Sequence, residues 1–164
     1  VTKIEDTNDG VCDADCSLRE AVAVAMPGDT VVFSSLFQAP QTITLTSGQI
    51  TIDKNLTITG TGRNLVTLSG NNASRIFFLT GAGVTVNVSA MTIRDGHSSD
   101  AGGAILASDS SLVVSDITFI SNTAAAGAGG QCIARTGRDR GGQRRGCGRG
   151  DRHLPGRPGP AKRA

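Results

Sequence analysis

Arg94-Asp95-Gly96-His97-Ser98-Ser99-Asp100 gathers a guanidinium, two carboxylates and an imidazole within seven residues, directly after the strand-like run Met91-Thr92-Ile93. Such a set points to carbohydrate chemistry of two kinds. A polysaccharide lyase needs a base for the proton beside a uronate carboxylate, usually with Ca²⁺ to neutralise that carboxylate, and a glycoside hydrolase needs two carboxylates around the glycosidic bond. Asp95 and Asp100 could supply the carboxylates, together with Arg94 or His97. All four, however, belong to one turn, whereas a sugar groove draws charged and aromatic groups from several neighbouring segments. The chain has no Trp or Tyr to stack on a sugar ring, and its five Phe mostly fall in strand-like runs. A polar, solvent-facing turn is the simpler account, so no catalytic residue is assigned and Arg94, Asp95, His97 and Asp100 stand as the alternative. Gly60-Thr61-Gly62 and Gly81-Ala82-Gly83 lack the Lys-Ser/Thr and the helix of a phosphate loop and read as turns.

A second polar cluster, Asp6, Asn8, Asp9, Asp13 and Asp15, has the composition of a calcium loop without its spacing. Asp6-Thr7-Asn8-Asp9-Gly10 is one residue short before the glycine, and no Glu follows at the twelfth position. A solvated acidic turn is expected, with no metal and no cofactor. Cys12 and Cys16 lie in the same stretch, four apart, where a turn can bring their Cα atoms within disulfide range. No His or further Cys is near in sequence to complete a zinc site, because Cys132 and Cys147 belong to the basic C-terminal segment. A Cys12–Cys16 disulfide is the preferred state and two unbridged thiols the alternative. A bridge would place the chain in an oxidising compartment.

The elements that must carry these groups are a short helix and many short strands. Ser17-Leu18-Arg19-Glu20 has Ser and Glu at the spacing of a capping box, Pro27-Gly28 ends the helix, and Leu18, Ala21, Val22 and Ala25 share one face. That face can cover the open end of a solenoid. From Val31 onward, strand-length runs such as Thr42-Ile43-Thr44-Leu45, Leu56-Thr57-Ile58-Thr59, Ile76-Phe77-Phe78-Leu79 and Val84-Thr85-Val86-Asn87-Val88 are separated by Gly, Asn, Asp or Ser. Met91-Thr92-Ile93 aligns with Ile117-Thr118-Phe119 at an offset of 26 residues, and Ala101-Gly102-Gly103 with Ala128-Gly129-Gly130 at 27. A period in the twenties, with several strands per repeat and no helix between them, describes stacked coils around one apolar column. The expected fold is all-β, a right-handed parallel β-helix (solenoid). Asn71, Asn72 and Asn122 are expected to be simple turn residues, with hydrogen bonds to neighbouring turns as the alternative.

The motifs Asp9-Gly10-Val11-Cys12, Cys16-Ser17-Leu18-Arg19-Glu20-Ala21-Val22, Pro27-Gly28-Asp29-Thr30-Val31-Val32-Phe33, Leu56-Thr57-Ile58-Thr59-Gly60-Thr61-Gly62 and Ala101-Gly102-Gly103-Ala104-Ile105 resemble those of CSLREA-type bacterial surface and secreted proteins, across residues 1–130. The resemblance implies an N-terminal cap at 1–29 and parallel β-helix coils at 30–130. It further implies a non-enzymatic extracellular or cell-surface scaffold, adhesin-like, with cell-surface glycans or the surfaces of host or neighbouring cells as partners.

The remaining residues, 131–164, break the pattern. They carry 10 basic and 2 acidic side chains against 6 and 12 in residues 1–130, and 20 of the 34 are Gly, Arg or Pro. Too little apolar surface is present to offset the entropy of ordering, so disorder is expected. Because the repeat is interrupted midway, a shifted reading frame is the preferred origin of this tail. Its Arg clusters lack interleaved aromatics, so no specific nucleic acid is expected, and a tail-borne nucleic-acid interaction stands last among the alternatives. Arg149-Gly150-Asp151 is a cheap match in so basic a segment. A β-helix broken off within a repeat would expose strand edges, and end-to-end self-association is expected. No stretch reaches the roughly 20 apolar residues of a spanning helix, and no signal segment is visible at Val1.

Overall fold

Leu56-Thr57-Ile58-Thr59 displays the local rule of the chain. Alternate side chains of a strand point to opposite faces, and here Leu56 and Ile58 are buried while Thr57 and Thr59 are half-buried. A computed structural model describes residues 1–125 and the backbone of a strand at Ile133–Thr136. The order is helix α1 (Leu18–Val24), then β1 (Thr30–Val32), β2 (Gln41–Thr44), β3 (Ile50–Ile52), β4 (Leu56–Thr59), β5 (Val66–Ser69), β6 (Phe77–Thr80), β7 (Thr85–Arg94), β8 (His97–Ser98), β9 (Ile105–Ser108), β10 (Ser111–Ile120), β11 (Thr123–Ala124) and β12 (Ile133–Thr136).

Every strand pairing among the described residues is parallel, and partners lie one coil apart. The result is a parallel β-helix of about four coils with three faces. The first face stacks β1, β4 and the starts of β7 and β10; the second stacks β2, β5 and the ends of β7 and β10; the third stacks β3, β6, β9 and β12. The 26-residue offset seen in the sequence is a hydrogen-bonded register, with Met91 opposite Ile117 and Ile93 opposite Phe119. Its second half, at 128–130, lies outside the described residues. The two faces of β7 join at Ala90, whose φ of 55° turns the strand without breaking it, and Asp116, at φ 50°, does the same one coil later. Inward residues form columns such as Leu56–Val86 and Phe77–Ile105, and all four of these side chains are at most 2% exposed. Burying each aliphatic chain contributes about 1.5–3 kcal/mol.

Between the second and third faces the coils approach so closely that side chains are excluded. A Cβ at Gly103 would lie 2.0 Å from the Thr123 carbonyl oxygen, and one at Gly96 would lie 2.2 Å from that of Gly103. Asn122 follows the alternative expected for it. Instead of a simple turn residue it is 1% exposed, accepts the Gly96 N–H at 2.8 Å and donates to the Ile93 carbonyl at 2.9 Å, stitching the third coil to the fourth. Asn71 and Asn72 are turn residues, at φ 54° and 55°.

At the N-terminal end, Leu18, Ala21 and Val22 of α1 enter the core, and Ala25 packs half-buried against it. Lys54 closes the helix by donating to the carbonyls of Val22, Ala23 and Ala25 at 3.0–3.4 Å, satisfying oxygens that the last turn leaves unpaired. At the other end, β12 lies past residue 130, the expected limit of the coils. The disorder expected for the tail concerns residues that otherwise lie outside those described. Among the described residues no helix is long and apolar enough to cross a membrane.

Candidate functional site

Each residue of Cys16-Ser17-Leu18-Arg19-Glu20-Ala21 has an architectural contact. Cys16 is buried and joined to Cys12 by a disulfide, with the Cα atoms 4.5 Å apart. The Ser17 hydroxyl accepts the Glu20 N–H at 3.1 Å while the Glu20 carboxylate accepts the Ser17 N–H at 2.7 Å, a complete capping box. Glu20 also accepts the Asp9 N–H at 3.1 Å, and the Lys3 ammonium is 3.5 Å away. The Ser17 amide, followed by that of Asp9, holds this carboxyl below its ordinary value against the opposing effect of burial.

Arg19 grips Asp6 with two parallel bonds of 2.8 and 2.9 Å and donates to the carbonyls of Gly48 and Gln49. Asp6 also accepts the N–H groups of Thr46 and Ser47 at 2.8 and 2.9 Å. This corrects the reading of the acidic loop for one member: Asp6 is 7% exposed, because the β2–β3 turn folds back over it. Asp9, Asp13 and Asp15 are exposed as expected; Asp9 and Asp13 accept amide N–H groups two residues on, and Asp15 pairs with Lys3 at 3.0 Å. The Lys3 hydrogen bond is the chief cause that lowers the Asp15 pKa. The described residues hold no cluster of three or more His, Cys, Asp or Glu arranged for a metal ion.

The four candidate catalytic residues separate into three local arrangements. Arg94 donates to Asp95 at 2.6 Å on the surface. His97 Nδ1 lies 3.0 Å from the Thr123 hydroxyl of the next coil. Asp100 instead accepts from Ser98 and from Arg75. Its pKa is lowered, first by the Ser98 hydroxyl and then, against partial burial, by Arg75. No hydrogen bond or ion pair among the described residues links the Arg94–Asp95 pair to His97 or Asp100.

Arg75, which the sequence reading passed over, is the centre of this corner. It is 8% exposed and lies 5.8 Å over the Phe78 ring. Its Nε donates to the Gly102 carbonyl at 2.8 Å and its Nη1 to Gln49 Oε1 at 2.6 Å. Nη2 reaches the Ser98 hydroxyl, Asp100 and the Ala101 carbonyl. Gln49 belongs to the first coil, Arg75 to the second and Ser98–Gly102 to the third. Since Arg19 donates to the Gln49 backbone, Asp6, Arg19, Gln49, Arg75 and Asp100 form one charge-balanced spine along the solenoid. These groups rivet coils together; their donors and acceptors are engaged with one another.

The outward side of the first face is lined by uncharged side chains. Two rows run up it in register, Thr30, Thr57, Asn87 and Val113, then Val32, Thr59, Ser89 and Ser115. All eight are exposed or half-buried and none is charged. Neighbouring strands of a sheet stand about 4.8 Å apart, so the six members that bear a hydroxyl or amide recur at that step, Asn87 donating to the Thr57 hydroxyl at 3.4 Å and Ser89 to that of Thr59 at 3.3 Å. On the second face the corresponding Thr42, Thr67, Thr92 and Thr118 also align, but Thr92 is buried and its hydroxyl donates to the Arg63 carbonyl at 2.7 Å. A shallow depression of about 380 Å³ lies between Ile4–Thr7 and Thr42, Thr44 and Thr46, and the Asp6 carboxylate at its edge is already committed to Arg19. No family model, curated protein or solved structure matches the chain.

Proposed function

We propose that the chain is a non-enzymatic β-helical scaffold of an extracellular or cell-surface protein, adhesin-like, that presents its first face to glycans or to the surface of a host or neighbouring cell. The observation that carries this reading is the division of labour among polar groups. The residues with catalytic potential are spent on close inter-coil contacts or lie apart, whereas the first face lines up eight uncharged side chains, six of them bearing a hydroxyl or amide, in two straight rows joined only by long Asn87–Thr57 and Ser89–Thr59 bonds of 3.4 and 3.3 Å. Hydroxyl and amide groups at regular steps suit a polyhydroxylated ligand, which can exchange hydrogen bonds with water for hydrogen bonds to the sheet at small net cost. The resemblance of Cys12–Val22 to CSLREA-type surface proteins supports the same address, as does the Cys12–Cys16 disulfide, a bond at home in an oxidising compartment.

The test is binding of the whole chain to arrayed glycans and to intact cells, with turnover of polyuronides assayed in parallel. Saturable binding without cleavage, weakened by Thr57→Lys or Asn87→Lys, is the expected result. Polyuronide cleavage that disappears on Asp95→Ala would replace the scaffold reading with an enzymatic one. Salt-sensitive binding to nucleic acid, lost on deleting residues 131–164, would move the function to the tail.

A further inference from the structure

The depression between residues 4–7 and β2 has a floor of hydroxyls. Thr42 and Thr44 lie on the outward side of β2 because the buried Ile43 between them faces the core, and Thr46 follows the buried Leu45. Among the described residues none of these three hydroxyls makes a hydrogen bond, and Glu5, exposed in the facing wall, makes neither a hydrogen bond nor an ion pair. Ile4, 36% exposed, adds an aliphatic surface to that wall. Both walls are fixed in advance. Asp6 accepts the N–H groups of Thr46 and Ser47, and the Ser17 hydroxyl donates to the Thr7 carbonyl at 2.7 Å, so the segment carrying Glu5 is tied to the turn after β2 and to the cap of α1. Little ordering is left for a ligand to impose. The same network consumes the neighbouring charges: Arg19 neutralises Asp6, and Lys3 pairs with Asp15 and Glu20. One unpaired carboxylate remains, among hydroxyl and methyl groups.

We propose that this depression is a binding site for a hexosamine, a pyranose ring carrying a protonated amine. The ammonium answers the Glu5 carboxylate, the ring hydroxyls exchange hydrogen bonds with Thr42, Thr44 and Thr46, and the C–H face of the ring rests on Ile4. The volume, about 380 Å³, falls within the range of about 300–1,000 Å³ of small-molecule sites. Charge selects this ligand over its relatives. An acidic sugar would meet Glu5 as a like charge, and a neutral or N-acetylated one would leave the carboxylate without a counter-charge. A hydrogen bond between ionised partners is about twice as strong as one between neutral groups. The site lies beside the second face and uses none of the first-face rows, so it goes beyond the surface proposed above for glycans.

The test is titration of the isotope-labelled whole chain with glucosamine, glucose, N-acetylglucosamine and propylammonium, followed through the backbone amide resonances by NMR. Glucosamine should give saturable shifts centred on Glu5 and residues 42–46, with a dissociation constant at least about tenfold below that of each other probe. Glu5→Gln should erase the margin over the two neutral sugars. Thr44→Val, which keeps the shape of the side chain and removes its hydroxyl, should weaken glucosamine and leave propylammonium unchanged. Circular dichroism checks that both variants fold. Thr57→Lys on the first face should not alter glucosamine binding, and Glu5→Gln should not alter binding by the first face, so the two readings succeed or fail separately. Absence of saturable shifts, shifts centred on other residues, equal affinity for glucose or propylammonium, or an undiminished margin in Glu5→Gln would each overturn the proposal.

Discussion

Arg19 and Arg94 each bond an aspartate at under 3 Å, yet the water around the two pairs differs. Arg19 and Asp6 side chains are 14% and 1% exposed; Arg94 and Asp95 are 49% and 18% exposed. Removing one partner of a buried pair strands the other charge, at a cost of about 3–5 kcal/mol, whereas a surface pair contributes about 0–1 kcal/mol. Arg19→Ala should thus lower stability in urea titration by several kcal/mol while Arg94→Ala changes it little; equal effects would mean that Asp6 is not sealed. Glu20 adds a pH dependence with a definite sign. Its folded-state pKa lies below the ordinary glutamate value of about 4.3, so its contribution is present above that value and is lost as pH falls through the lowered one. Melting temperature measured downward from pH 6 should drop below about pH 4.3, and Glu20→Gln should shrink the part of that drop due to this group. The capping box was legible because its members are three residues apart. The Asp6–Arg19 clamp was not, since Asp6 takes its other bonds from Thr46 and Ser47, forty residues on, and nothing local distinguishes it from the solvated Asp9 and Asp13. Arg75 was missed for the same reason: its acceptors come from the first and third coils.

At the scale of elements, the alternation of apolar residues with Thr or Ser located β1 to β7, β9 and β10, because a strand with one buried face must write that pattern into the sequence. What it concealed was how strands join. The runs at Val84–Val88 and Met91–Ile93 read as two strands but form the single β7, since the bend between them is made by one left-handed residue, Ala90, which carries no turn signature. The two-residue β8 and β11 are too short to show any period. Close packing between coils is also silent in the pattern, although it makes a sharp prediction. Because a methyl group at Gly103 would meet the Thr123 carbonyl at 2.0 Å, Gly103→Ala must push β11 away from β8 and loosen Asn122 from Gly96. Overpacking of this kind costs about 1–3 kcal/mol or more. Gly83→Ala, where no atom lies within 4 Å but φ is 81°, should cost only the conformational strain of about 1 kcal/mol. Thermal unfolding of the two variants separates steric exclusion from backbone strain; equal losses would show that the coils have room to part.

Across the whole molecule, stability should be graded along the axis, because each coil is held mainly by its two neighbours. The first three coils share the Asp6–Arg19–Gln49–Arg75–Asp100 spine, and the first is covered by α1. Among the described residues the fourth has neither: it rests on β7, β8 and β9, on the bonds of Asn122 and on the exposed Arg63–Asp116 pair, while its inward Val114 is 37% exposed. Local opening should therefore begin there, with a smaller free energy than global unfolding. Hydrogen exchange of the dilute protein should show the protected amides of β10 exchanging at least about tenfold faster than those of β4 and β5, a difference of about 1.4 kcal/mol in opening. A single exchange rate across all coils would instead make the solenoid one cooperative unit in which the spine transmits its stability to the fourth coil.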